Sequence, residues 1–145
     1  MSMDGIQRIN CPSAPKPLGN YSHAVAFGEL VFVSGIASRD FKTDKVPGLI
    51  LDGSGKKVGY DIRLETRATL ENIKVILEDA GSSMDDVIEI QTYLLDMKDF
   101  AAYNEIFAGY FPTQRPARTT VGVASLPGHV SIEMRVVAAG RGKKA

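Results

Sequence analysis

Two periodicities of apolar and polar residues alternate along this chain. Leu30-Val31-Phe32-Val33 is apolar without interruption and predicts a strand covered on both faces. It follows a strand-like piece, Ser22 to Phe27, across Gly28-Glu29, a two-residue gap that reads as a hairpin turn. Val87 to Leu95 alternates, with Ile88, Ile90, Thr92 and Leu94 on one face and Glu89, Gln91 and Tyr93 on the other. Between Asp61 and Ala80 the period becomes helical: Leu70, Ile73, Leu77 and Ala80 form a stripe that Ile76 widens, with Asp61 as N-cap and Gly81 as the stop. A shorter helix, Phe100 to Tyr110, starts after Asp99, places Tyr103, Ile106, Phe107 and Tyr110 on one side, and ends at Phe111-Pro112. Arg118 to Ala124 and Val130 to Ala139 predict two last strands joined by Ser125-Leu126-Pro127-Gly128, and Gln7 to Cys11 offers an extra strand at the start.

The order ββ, α, β, α, ββ predicts an α+β fold, a six-stranded mixed sheet in a single domain spanning 1–145, with the tails 1–5 and 140–145 frayed. Two helices cover one face of such a sheet. The second face, carrying Val31, Val33, Val121 and Val123 or their alternates, is too apolar for open water and calls for another subunit. Gly35 to Gly59 breaks both periodicities and is expected to be a long excursion with little regular structure, a place where function often resides.

Charge narrows the function. Seventeen basic residues balance seventeen acidic ones, so the net charge is zero and no strong field draws a nucleic-acid backbone. A single cysteine, Cys11, makes neither an intramolecular disulfide nor a cysteine-based metal cluster. No apolar run reaches the roughly 20 residues of a membrane span, and MSMDGIQRIN lacks the apolar core of a signal peptide, so a cytoplasmic location without membrane attachment is expected.

Phosphate-loop, dinucleotide-binding, zinc-protease and paired-cysteine motifs are all missing. His129 falls in a turn and reads as solvated, while His23 sits two residues past Tyr21 at a strand start. In Arg115-Pro116-Ala117-Arg118-Thr119-Thr120, Arg118 and Thr120 share one strand face. An arginine opening an apolar strand suits a substrate carboxylate held by its planar fork, or else a rim salt bridge. Glu133 faces away from the core with Ser131 and Arg135, where it could position a water or pair with a cation. Tyr21, Ser34 and Asn104 are polar residues at element ends, where binding groups gather.

Together these pieces resemble the Rid (YjgF) family of enamine/imine deaminases. Gly19-Asn20-Tyr21-Ser22 resembles the family's G-P-Y-S, Val33-Ser34-Gly35 its strand-ending S-G, and FAAYNEIFAGYF its asparagine-bearing helix. Pro116-Ala117-Arg118-Thr119-Thr120 resembles P-A-R-S-C, with threonine where common members carry cysteine, and Leu126-Pro127 followed by Ile132-Glu133 resembles the L-P…I-E ending. The resemblance implies a chorismate-mutase-like fold, a homotrimer with sheets packed inside and sites at subunit interfaces, and removal of ammonia from small enamine or imine carboxylates without metal or organic cofactor. In such a site Arg118 would hold the carboxylate, Glu133 would orient water or carry a proton, and Tyr21, Ser34, Gly35, Asn104 and Thr120 would line the pocket. The long stretch Lys45 to Tyr60 and the wording around Tyr21 and Arg118 look like the 2-aminomuconate deaminase branch, whose dicarboxylate substrate asks for a second anion contact from His23, Arg39 or Arg115. Two other readings remain at this point: a general 2-iminopropanoate deaminase, and a trimeric ligand-binding module without turnover.

Overall fold

A computed structural model describes residues 5–140; of the tails expected to fray, all but Gly5 and Gly140 lie outside the described residues. The strands are β1 (Gln7–Ile9), β2 (Ala24–Phe27), β3 (Leu30–Ile36), β4 (Ile50–Leu51), β5 (Lys57–Gly59), β6 (Val87–Leu94), β7 (Ala117–Gly122) and β8 (Ile132–Ala139), and the helices are α1 (Ile62–Asp79) and α2 (Phe100–Tyr110). Six strands form one mixed sheet in the order β1-β2-β3-β8-β6-β7. Every pairing is antiparallel except β6 with β7. That exception follows from connectivity, because α2 carries the chain from the end of β6 back to the start of β7.

Both helices cover one face of this sheet, as the apolar pattern requires. Leu70, Ile73, Ile76 and Leu77 of α1 are fully buried against Val31, Val33, Ile132, Met134 and Val136 of the sheet. Each such side chain contributes about 1.5–3 kcal/mol relative to exposure. The N-terminus of α1 is capped by Asp61, whose carboxylate accepts from the Leu64 amide at 3.1 Å. At its other end Gly81 adopts φ 78°, and Ser82 N donates to the Leu77 carbonyl at 2.8 Å, a Schellman closure.

Two expectations become specific and one, the outward Ser131, is corrected. Val31 and Val33 point into the core, so Leu30 and Phe32, with Phe27 and Val121, form the exposed apolar side of the sheet. The excursion 35–59 holds a small hairpin, β4 with β5, too short for alternation to reveal. Its turn is organised by Asp52, whose Oδ1 accepts from the amides of Ser54 at 2.8 Å and Lys56 at 2.9 Å. Ser131 is buried rather than outward-facing, because its amide turns to Glu65 of α1, and β8 begins one residue later. Among the described residues no helix is long and apolar enough to cross a membrane.

Candidate active site

The C-terminal end of β3 builds the main cavity. The ladder between β3 and β8 shifts register between Val33 and Ile36, which turns Ser34 and Gly35 out of the regular pairing. The space of about 570 Å³ beside them is closed by the proline-rich segment Pro15–Gly19, by Tyr21, His23 and Arg39, and by Pro127 and Val130 of the loop before β8. Glu133 and Arg135, on the outward side of β8, complete its wall.

Glu133 packs directly on Gly35. A Cβ at position 35 would lie 3.0 Å from the Glu133 Cδ and collide with its Oε2, so only glycine lets the carboxylate lie against β3. Half-burial in this niche raises the Glu133 pKa above the ordinary carboxyl value, since the charged form loses hydration. Such a carboxylate is a better proton acceptor than a solvated one.

The other polar walls are tied to the chain. The Ser34 hydroxyl donates to the Ser22 carbonyl at 2.6 Å, and the Ser34 amide to the His23 carbonyl at 2.9 Å. His23 is buried. Its Nδ1 accepts from the Cys11 amide at 2.8 Å, and its Nε2 donates to the Pro15 carbonyl at 2.7 Å, which assigns the hydrogen to Nε2. Both ring nitrogens are used, so His23 shapes the cavity and leaves no polar atom for a second substrate carboxylate. The Arg39 guanidinium reaches the Asp44 carboxylate and the Lys16 carbonyl.

Arg118 belongs to a different place. It stands on the helix side of β7, its guanidinium carbon 4.7 Å from the Phe107 ring centre, 5.3 Å from Tyr103 and 5.5 Å from Phe100. These three rings fall on one face of α2 by their spacing of three and four residues. Arg118 Nη1 donates to Asn104 Oδ1 at 2.8 Å, and Tyr103 Oη lies 2.7 Å from Thr92 Oγ1 and 3.3 Å from Thr120 Oγ1. Thr120 thus anchors the tyrosine on which Arg118 stacks, and Asn104 orients the guanidinium. The rings contribute about 0.5–2 kcal/mol of cation–π attraction and fix the fork without neutralising it. This side opens on a second cavity of about 500 Å³ that Arg115 and Phe111 also line.

Residues 11–140 match the family model described as endoribonuclease L-PSP. The chain belongs to this family, the YjgF/Rid family. A RutC family protein of Pyrococcus horikoshii is 45% identical over 126 residues, covering 87% of this chain and 91% of that one. The 2-iminobutanoate/2-iminopropanoate deaminase of Dermatophagoides farinae is 33% identical, with 89% of this chain and 92% of that one covered. The structure of the Escherichia coli YjgF gene product superposes with a TM-score of 0.80 at 30% identity, covering 93% of this chain and 99% of that one. The fold is that of the YjgF/Rid family.

Within this YjgF/Rid fold, Tyr21, His23, Ser34, Gly35, Arg39 and Glu133 meet around one cavity, and Asn104 and Arg118 line another, with Thr120 outside that lining and linked to Arg118 through Tyr103. Sequence reasoning passed over Lys16, Arg135, Pro127 and Val130 in the first. Arg135 carried a usable signal, since it alternates with Glu133 on one strand face. Lys16, in an extended proline-rich stretch, carried none. Among the described residues no three metal-ligating side chains converge.

Proposed function

We propose that this protein is a deaminase of enamine and imine carboxylates that works by water addition. The observation that carries this reading is Glu133, a half-buried carboxylate of raised pKa held against Gly35 on the cavity wall. The name of the mite relative, a 2-iminobutanoate/2-iminopropanoate deaminase, supports the same chemistry. Arg118 receives the substrate carboxylate on its ring-backed fork. Glu133 takes a proton from water as the oxygen attacks the protonated C=N carbon. Glu133 returns this proton to nitrogen and takes the carbinolamine's hydroxyl proton as the C=O bond forms and the C–N bond breaks, so protonated imine plus water becomes ketone, ammonia and one proton. Orientation and one general acid–base group can supply several kcal/mol, and a protonated imine is electrophilic enough to need no activated side-chain nucleophile. Neither metal nor organic cofactor has a step in this scheme.

Arg118 and Glu133 line separate cavities of one chain, so the site is completed by a second copy. We place it at the interfaces of a homotrimer whose exposed apolar sheet faces, with Phe27, Leu30, Phe32 and Val121, pack inward. Small monocarboxylates such as 2-iminopropanoate are the substrates the relatives support. One observation favours the dicarboxylate 2-aminomuconate: Lys16, Arg39 and Arg135 line the Glu133 cavity together, more positive charge than a single carboxylate requires. Ammonia release from 2-aminoacrylate generated in situ, beside 2-aminomuconate and above the uncatalysed background, tests both. Silence on both would refute the deaminase reading, and preference for one sets the substrate class.

A further inference from the structure

Arg39 already holds a carboxylate supplied by its own chain. The donor is Asp44, whose Oδ1 meets Arg39 Nη1, and the partners differ sharply in exposure: the arginine side chain is 15% exposed and the aspartate 72%. Arg39 is fixed independently of that contact. Its backbone carbonyl and that of Ala37 both accept from Asn72 Nδ2 at 2.9 Å, and its Nη2 donates to the Lys16 carbonyl. Asp44 is delivered by a tight turn in which its amide donates to the Asp40 carbonyl at 2.7 Å and the Asp40 amide to the Lys45 carbonyl at 2.9 Å. The turn holds Asp44 at φ 63°, the left-handed region that aspartate tolerates among the few non-glycine residues that do.

We propose that Asp44 is a displaceable counter-ion over a carboxylate subsite centred on Arg39, and that the subsite takes the distal carboxylate of an acidic ligand whose other end lies at Glu133. Arg39 is the sheltered, pre-placed half of the pair and borders the cavity. Asp44 is the solvated half, which returns to water with little desolvation change when a competing carboxylate arrives. Lys16 and Arg135 on the same cavity add the positive field that such a ligand needs. A ligand whose single carboxylate is taken by Arg118 has none left for Arg39 and gains nothing from displacing Asp44, so the pair discriminates between the two classes. Asp44 is therefore a specificity-determining residue. This inference rests on the proposed binding of acidic imines but concerns affinity alone.

The test is calorimetric titration of the full-length protein with adipate and with hexanoate, unreactive probes of equal carbon number, against wild type, Asp44→Asn and Arg39→Gln. Asp44→Asn should raise the ratio of adipate to hexanoate affinity about three- to fivefold, the upper range for an exposed ion pair. Arg39→Gln should bring the ratio close to that of a protein without the subsite. An unchanged or lower ratio in Asp44→Asn overturns the proposal, as does an Arg39→Gln ratio equal to wild type or an absence of adipate binding in all three. Ammonia release is assayed separately. A protein that passes the titration and releases no ammonia from any imine keeps the subsite and loses the deaminase reading.

Discussion

Arg118 and Glu133 stand on opposite faces of one sheet with β6 between their strands. Ile90 of β6 pairs with Arg118 and with Val136, on the helix side, whereas Tyr93 pairs with Glu133 and Val121, on the outward side. One small imine therefore cannot touch both within a single chain, and the proposed site is one that draws Arg118 from one copy and Glu133 from another. Arg118→Ala and Glu133→Gln should each be nearly inactive alone. Co-expressed in equal amounts, they should recover about a quarter of wild-type ammonia release, the fraction of interfaces in a random trimer that unite two intact residues. No recovery in co-purified mixed oligomers would mean that each chain builds its site alone.

Gly35→Ala tests how closely Glu133 must lie on β3. The new methyl would sit 3.0 Å from the Glu133 Cδ, so the carboxylate has to swing toward the cavity. The site is at a strand end with open space beside it, so folding should weaken by no more than about 1–3 kcal/mol. A misplaced base should lower kcat by about ten- to a hundredfold. A melting curve and steady-state kinetics separate the two effects, and a variant with normal kcat would show that the glycine serves packing only.

Burial raises the Glu133 pKa from its ordinary 4.5, and the consequence for stability has a definite sign. Below that ordinary value the carboxyl is protonated in both folded and unfolded chains, and burial carries no ionic penalty. As pH rises from the ordinary value through the raised native one, the unfolded chain ionises while burial keeps the folded carboxyl protonated, so the native state loses stability relative to the unfolded one. Glu133→Gln has no such group, and its melting temperature should gain on wild type as pH climbs from 4.5 through the raised value toward neutrality. The acid limb of wild-type kcat/KM should lie above 4.5 for the same reason and vanish in the variant. A melting difference independent of pH would remove the burial argument.

The elements carried by local pattern were legible in the sequence; those set by distant contacts were not. The α1 stripe, the alternation of β6 from Glu89 to Leu94 and the outward face of Glu133 follow from spacing alone, and both helices lie on one side of the sheet as the apolar count demands. Ile88, expected on the face of Ile90, is instead exposed, because the register shifts between Val87 and Glu89. The direction of Val31 and Val33 did not follow, because a strand apolar at every position reads the same with either face inward. The commitment of His23 was hidden for another reason: its partners, the Cys11 amide and the Pro15 carbonyl, lie in irregular chain that no periodicity places. The split of the candidate residues into two cavities depends on strand order, with β8 inserted between β3 and β6. Strand order is a long-range property that alternation does not encode.

Glu65 shows the same limit and carries the last prediction. The apolar stripe of α1 does not include this residue, yet its side chain is fully buried. Its Oε1 accepts from the Ser38 hydroxyl at 3.0 Å and the Ser131 amide at 2.8 Å, while Oε2 is buried without a hydrogen-bond partner. The two donors lie beside residues that line the Glu133 cavity: Ser38 stands between Ala37 and Arg39 past the end of β3, and Ser131 joins the Pro127–Val130 loop to β8. From the other side Lys57 of β5 donates to the Ser131 hydroxyl at 2.5 Å and the His129 carbonyl at 2.8 Å, so helix and hairpin hold the loop between them. Glu65→Leu removes the acceptor and leaves a buried amide and hydroxyl unpaired, which should lower stability by about 2–4 kcal/mol. Glu65→Gln keeps an oxygen for both donors and carries no charge, so it should stay within about 1 kcal/mol of wild type. Urea unfolding of both variants decides the matter. Equal losses would mean that the charge itself, drawn toward Lys57, holds the loop in place of the two hydrogen bonds.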